Sequence, residues 1–190
     1  DENPYVKWVS AFDLFDLGLA IGFADGKEET AVLAKTPEEE FALLGEFWRR
    51  AAAAASDAGA QVGSPHLITW NGSFDLRFIL LRSLALGVEI PVHPSVIRSW
   101  FRKYDSRTHF DVKAALLNHD TALMRDAGEG LDAWCAFLGV EGKADGASGA
   151  DVYAMVLNGE WEKLADYARH DARAPWQLYA RIARAFAGGE

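Results

Sequence analysis

The segment from Trp161 to Ala187 leaves this chain the fewest options. Leu164, Ala168, Asp171, Pro175, Leu178 and Ile182 recur there at helical spacing, which predicts a long amphipathic helix with that stripe turned to a core. Pro175 removes a backbone hydrogen bond and is expected to kink it. The anomaly is a carboxylate inside the apolar stripe. Burying it alone costs several kcal/mol, so Asp171 calls for a cation: a metal ion, or an arginine such as Arg77 or Arg82. Tyr167 stands four residues earlier, about one turn or roughly 6 Å along the axis. Phenol and carboxylate therefore share a face. Alone, Tyr167 reads as a core residue with a satisfied hydroxyl; jointly with Asp171 it reads as part of a site. His170 falls about 100° round the helix from Asp171 and is expected at solvent or at a cleft rim.

A second carboxylate has a different setting. Leu67-Ile-Thr-Trp-Asn-Gly-Ser-Phe-Asp75 reads as an apolar strand over 66–70, a turn, and a helix from Asp75 to Leu86. Leu76, Ile79, Leu80 and Leu84 are expected on the buried side of that helix, with Gly87 ending it. Such handovers from strand to helix project side chains over a sheet edge, where α/β proteins place their sites. Asp75 alone equally reads as an N-cap, and Asn71 as a turn residue. Asp111 in His109-Phe-Asp either caps the next helix or shapes the site, and the cap is the favoured reading.

The rest of the chain spells an α/β domain. The apolar segment Leu19–Gly26, which ends in Asp-Gly, and the run Thr30–Ala34 lie either side of Ala-Asp-Gly-Lys and predict a β-hairpin. Thr36-Pro-Glu-Glu-Glu40 is a helix start, with Thr as cap, Pro at the first position and acids in the first turn. Phe41, Leu44, Phe47 and Trp48 continue it at helical spacing. Residues 91–107 read as irregular. A short extended piece at His109 feeds a helix to Leu117, another helix surrounds Trp134, and a Gly-rich loop spans 142–149. Helices over 150–157 and 161–187 finish the chain. Residues 1–190 are expected to form one domain.

Composition excludes several classes of function. A net charge of −9 argues against a protein that coats nucleic acid by bare electrostatics. It argues less against a metal-dependent nuclease, where clustered acids are the metal site. The one cysteine, Cys135, lies in a helical pattern. It rules out a disulfide framework and a Cys-rich zinc site, and it reads as a buried, inert thiol. The five histidines show no His-x-x-x-His spacing, and no Walker loop or Gly-x-Ser-x-Gly is present. No apolar run has the length of a membrane span and no signal peptide is visible, so the expected location is the cytoplasm. The chain opens at Asp1 without Met, so a segment upstream is expected to be missing.

Together these residues resemble a known group. Asn71-Gly-Ser-Phe-Asp75 is similar to the second motif of the DnaQ-like, DEDD-type 3′–5′ exonucleases. Tyr167-Ala-Arg-His-Asp171 is similar to their third motif in its tyrosine (DEDDy) form. The segments 102–111, 131–139 and 142–152 extend the resemblance to exonucleases related to the proofreading domain of family B DNA polymerases, covering roughly residues 19–182. It implies a ribonuclease H-like mixed sheet flanked by helices, with a helix-rich C-terminal half. It implies two divalent ions, Mg²⁺ or Mn²⁺, held in part by Asp75 and Asp171, with Tyr167 orienting the attacking water. Asn71, Phe74, Lys143 and Ser148 would contact the strand. The implied substrate is a nucleic-acid 3′ end, single-stranded DNA ahead of RNA; exposed aromatics, with Trp100, Phe101 and Tyr104 as candidates, are expected to stack on bases of either. The implied partner is a polymerase or another replication or repair protein.

One element departs from the family pattern. Its first motif, Asp-x-Glu, does not occur before the hairpin. The nearest imitation pairs Asp13 with Phe15, and a phenyl ring cannot ligate Mg²⁺. Either the true motif lies upstream of Asp1, or the domain is a degenerate module that binds nucleic acid or a partner protein.

Overall fold

Residues 19–24, 29–58, 67–120, 130–142 and 149–187 are described by the computed structural model. Asp13, Phe15, Asp25, Gly26, Lys143 and Ser148 lie outside the described residues. The hairpin forms as expected in its strands: β1 (Leu19–Ala24) pairs antiparallel with β2 (Glu29–Ala34), Leu19 opposite Ala34. The helix α1 (Pro37–Ala58) starts where its signals stand. Thr36 Oγ1 accepts the Glu39 N–H at 3.2 Å, and the Glu39 carboxylate reaches back to the Lys35 N–H at 2.7 Å. Two donors that a helix start would otherwise orphan are thereby satisfied.

Next come β3 (Leu67–Thr69), α2 (Gly72–Leu86), α3 (Pro94–Trp100) and β4 (His109–Asp111). β4 lies parallel to β3, with Leu67 opposite His109 and Thr69 opposite Asp111. Parallel neighbours need a long crossover, which α2 and α3 supply. The chain then continues through α4 (Val112–Leu116), α5 (Leu131–Leu138), α6 (Gly149–Leu157) and α7 (Trp161–Ala187). Among the described residues the four strands form two separate pairs. The architecture is thus α/β with two small sheets and a helix-rich C-terminal half.

Three local expectations are corrected. Residues 91–107 contain the helix α3, because Pro94 occupies its first position, where no N–H is needed. His93 Nδ1 accepts the Ser95 N–H at 3.2 Å as its cap. Trp100, expected to grip a strand, is buried and stacks on Trp48 at 5.9 Å between ring centres, 7° from parallel. On α2, Leu84 is exposed instead of buried. Its level on the core face is taken by Ser83, whose Oγ accepts the Trp48 Nε1–H and donates to the Ile79 carbonyl, both at 2.7 Å.

The core has two parts. Leu43, Leu44, Phe47, Trp48, Leu76 and Trp100 anchor one; Val112, Leu131, Cys135, Ala174 and Leu178 anchor the other. The parallel pair lies between them, with Leu67 packed on the first and Ile68 and Phe110 on the second, as strand alternation requires. A part-buried ion pair ties α1 to α2, the Arg82 guanidinium gripping the buried Glu40 carboxylate through two nitrogens. α7 continues as one helix through buried Pro175. It presses against the hairpin so closely that a Cβ on Gly22 would fall on the Ala168 carbonyl oxygen.

Candidate active site

The site is assembled where β3 and β4 end. After Thr69 the chain turns through Asn71, whose backbone is left-handed (φ 57°, ψ 38°), a conformation that asparagine tolerates better than most residues. α2 begins at once with Gly72. A Cβ there would collide with Thr69 Oγ1, so only glycine lets the helix start this close to the strand. Asp75 is therefore not the N-cap. It stands one turn inside α2, where it remains open to solvent. Phe74 beside it is also exposed.

Asp111 does cap a helix, as favoured, and it does more. Its Oδ1 accepts the Ala114 N–H of α4 and the Asn71 N–H of the β3–α2 turn, both at 3.1 Å. One carboxylate oxygen thus joins the two turns that follow the parallel strands. Behind it, His109 bonds Thr69 Oγ1 through Nε2 and the Trp100 carbonyl through Nδ1, both at 2.8 Å. Nδ1 must carry the proton to donate to a carbonyl, so Nε2 accepts from the threonine hydroxyl. Burial accordingly holds the His109 pKa below its usual value.

α7 brings the remaining groups. The Tyr167 hydroxyl hydrogen-bonds to the Asp171 carboxylate. Its pKa is driven far above the usual phenol value by burial first, then by the charge and hydrogen bond of Asp171 and the charges of Asp132 and Asp75. Tyr167 is therefore a neutral donor at any physiological pH. Of the arginines considered as partners for Asp171, Arg82 grips Glu40 and Arg77 is exposed.

Asp75 feels the same company. Its carboxyl is pushed up to about 6, by protein crowding first and by the negative charges of Asp171 and Asp111 next. The residue is open by surface area, so water screens part of the desolvation. The repulsion between three acids drawn from α2, β4 and α7 is the sturdier cause. Asp75, far in sequence from the Tyr167–Asp171 pair, thus shares one electrostatic neighbourhood with it, and Asp111 belongs to it as well as capping its helix, so both readings offered for it hold together.

His170 is the clear correction on α7. It is buried, not at the rim, with Nε2 3.3 Å from Asp132 Oδ1 on α5. α7 is covered on several sides, by the hairpin and by α5, so a position 100° from the apolar stripe is still inside. Asp132, the helix-start acid of α5, carried no signal beyond that position. Among the described residues, no group of three or more His, Cys, Asp or Glu side chains is gathered as a metal cage.

A family model described as "Predicted 3'-5' exonuclease related to the exonuclease domain of PolB" matches residues 20–188. The chain belongs to this family. An uncharacterized protein of Methanocaldococcus jannaschii is 27% identical over 168 residues, which cover 85% of this chain and 82% of that relative. No solved structure matches the chain at a significant level. No helix among the described residues is long and apolar enough to cross a membrane.

Proposed function

We propose that this chain is a metal-dependent 3′–5′ exonuclease of the DEDDy type, on a ribonuclease H-like domain, acting on single-stranded DNA ends in preference to RNA. The observation that carries the reading is the meeting of Asp75 with the Tyr167–Asp171 pair in a chain of the PolB-related exonuclease family. In this reading it works in the cytoplasm beside a polymerase or another replication or repair protein.

The donor chemistry fits divalent ions. Asp75 and Asp171 offer hard oxygen ligands, and their mutual repulsion is what a cation between them would relieve. Mg²⁺ needs only one or two protein carboxylates when water and phosphate complete its shell, so the lack of a three-residue cage among the described residues is no obstacle. Bound Mg²⁺ or Mn²⁺, two ions in the full reading, supplies positive charge at the phosphate and acidifies water.

The chain's own groups do the rest. Tyr167 directs its O–H hydrogen bond at Asp171 and keeps its proton, which leaves a lone pair of the phenol oxygen free to accept from a water and aim it at the phosphorus. Asp111 fixes the turn before Asp75 through the Asn71 N–H, and Asn71 and Phe74 border the strand. Water's oxygen bonds to the phosphorus of the terminal nucleotide, the bond from that phosphorus to the 3′ oxygen of the preceding nucleotide breaks, and the leaving oxygen takes up a proton equivalent to the one the water gives up. The product is a nucleoside 5′-monophosphate.

Asp171→Asn tests this reading. Trimming of a 5′-labelled single-stranded oligonucleotide in Mg²⁺ or Mn²⁺ should fall on the order of a thousandfold while the fold persists. Unchanged trimming ends the reading. Phe15 two residues after Asp13, where the family pattern has Asp-x-Glu, favours one rival, a degenerate module that binds nucleic acid or a partner protein without cutting. It predicts no digestion by the wild type and no heat of Mg²⁺ or Mn²⁺ binding by calorimetry.

A further inference from the structure

The segment between α3 and β4 has features that its packing does not explain. Tyr104 holds a left-handed backbone, φ 66°, although its side chain is 67% exposed. A bulky residue in that region is strained, and here little burial compensates it. The strain is matched across the contact. The Tyr104 ring meets the His119 ring edge-on at 4.7 Å, and His119 and its neighbour Asn118 are also left-handed, at φ 56° and 49°. Lys103 Nζ lies 4.9 Å from the centre of the Tyr104 ring. Phe101, three residues away, is exposed as well.

Charge singles out the same segment. The chain as a whole carries −9, yet from Phe101 to Arg107 the basic residues Arg102, Lys103 and Arg107 face a lone acid, Asp105. Asp105 is spent on Arg107, at 2.9 and 3.0 Å, and lies 3.8 Å from Arg102. No carboxylate among the described residues pairs with Lys103. An open aromatic ring with cations beside it, on an otherwise acidic surface, has the chemistry of a site where a base stacks and its phosphates are neutralised.

We propose that Tyr104, with Lys103 and Arg102, forms a binding platform for single-stranded DNA: a base stacks on Tyr104, and the flanking phosphates sit on the two cations. The platform rests on the exonuclease reading for its ligand but not for its measurement. Asp111, the last residue of β4, follows Tyr104 by seven positions, so the platform and the carboxylate site flank one short strand. His119 holds the ring in place and is a positioning residue.

The test is equilibrium binding of a fluorescent oligothymidylate in EDTA, where nothing is cut, with wild type, Tyr104→Ala, Tyr104→Trp and Lys103→Ala. Tyr104→Ala should weaken binding roughly fivefold to a hundredfold, and Tyr104→Trp should retain it. Lys103→Ala should lower the salt dependence of binding. Tyr104→Gly controls for folding: glycine accepts φ 66° without strain, so its melting temperature should hold or rise while binding falls. Unchanged affinity in Tyr104→Ala overturns the platform, and if the wild type still trims oligonucleotides the exonuclease reading stands without it. A wild type that binds through Tyr104 but does not trim keeps the platform and removes the exonuclease. A wild type that does neither removes both.

Discussion

Asp75 carries a charge that the metal-free fold resists. Its carboxyl is pushed up to about 6 in the folded state, from an ordinary value of 3.8. Between those values the folded protein binds more protons than the unfolded chain, so this group lowers stability as pH rises from about 4 to 6 and keeps it lowered above that. Asp75→Asn removes the penalty. In EDTA at pH 7.5 the variant should melt at a higher temperature than wild type, the difference should close towards pH 4, and trimming activity should be lost; a melting temperature no higher than wild type would contradict the repulsion. This opposition between stability and chemistry is what a functional site shows. The placement of the candidate residues could be read in advance, because Tyr167 and Asp171 lie one helical turn apart and Asp75 follows a strand. The second task of Asp111 could not, since accepting the Asn71 N–H depends on β3 and β4 lying parallel, which no local pattern states. His170 was misjudged because a single helix face says nothing about how many neighbours surround the helix.

Among the elements, α7 and the hairpin make the tightest junction. Gly22 on β1 has no room for a Cβ because the Ala168 carbonyl of α7 occupies its place. Backbone cannot step aside as a side chain can, so Gly22→Ala should destabilise the fold by about 3 kcal/mol. Gly45 is the control: it sits within α1 with nothing within 4 Å of an added Cβ. Gly45→Ala should be neutral or gain up to about 1 kcal/mol. Urea titrations of the two variants decide the matter, and similar midpoints for both would show that the junction yields. Elements marked by strong local chemistry were readable: the Thr36 cap, the Gly87 stop and the whole span of α7. α3 was not, because two prolines in its vicinity suggested irregularity, whereas Pro94 at a first helical position starts a helix.

Across the molecule, the two halves of the core are joined through a buried histidine. His109 lies on the strand pair that divides them and bonds both Thr69 on β3 and Trp100 at the end of α3. Both bonds suit a neutral ring: Nδ1–H donates to the carbonyl and Nε2 accepts the hydroxyl proton. Burial depresses its pKa below the ordinary 6.5. From that lowered value up to about 6.5 the unfolded chain binds the extra proton, so His109 makes stability rise with pH through this window and fall on acidification. The slope from one such group is at most about 1.4 kcal/mol per pH unit. Asp75 acts with the opposite sign over part of the same range, so the clean measurement uses the Asp75→Asn background. There, stability from urea unfolding should drop between pH 7 and 5, and adding His109→Gln should flatten that drop while lowering stability at pH 7. If the drop survives the second substitution undiminished, the histidine does not carry the acid sensitivity, and the parallel strands are joined to α3 by packing alone.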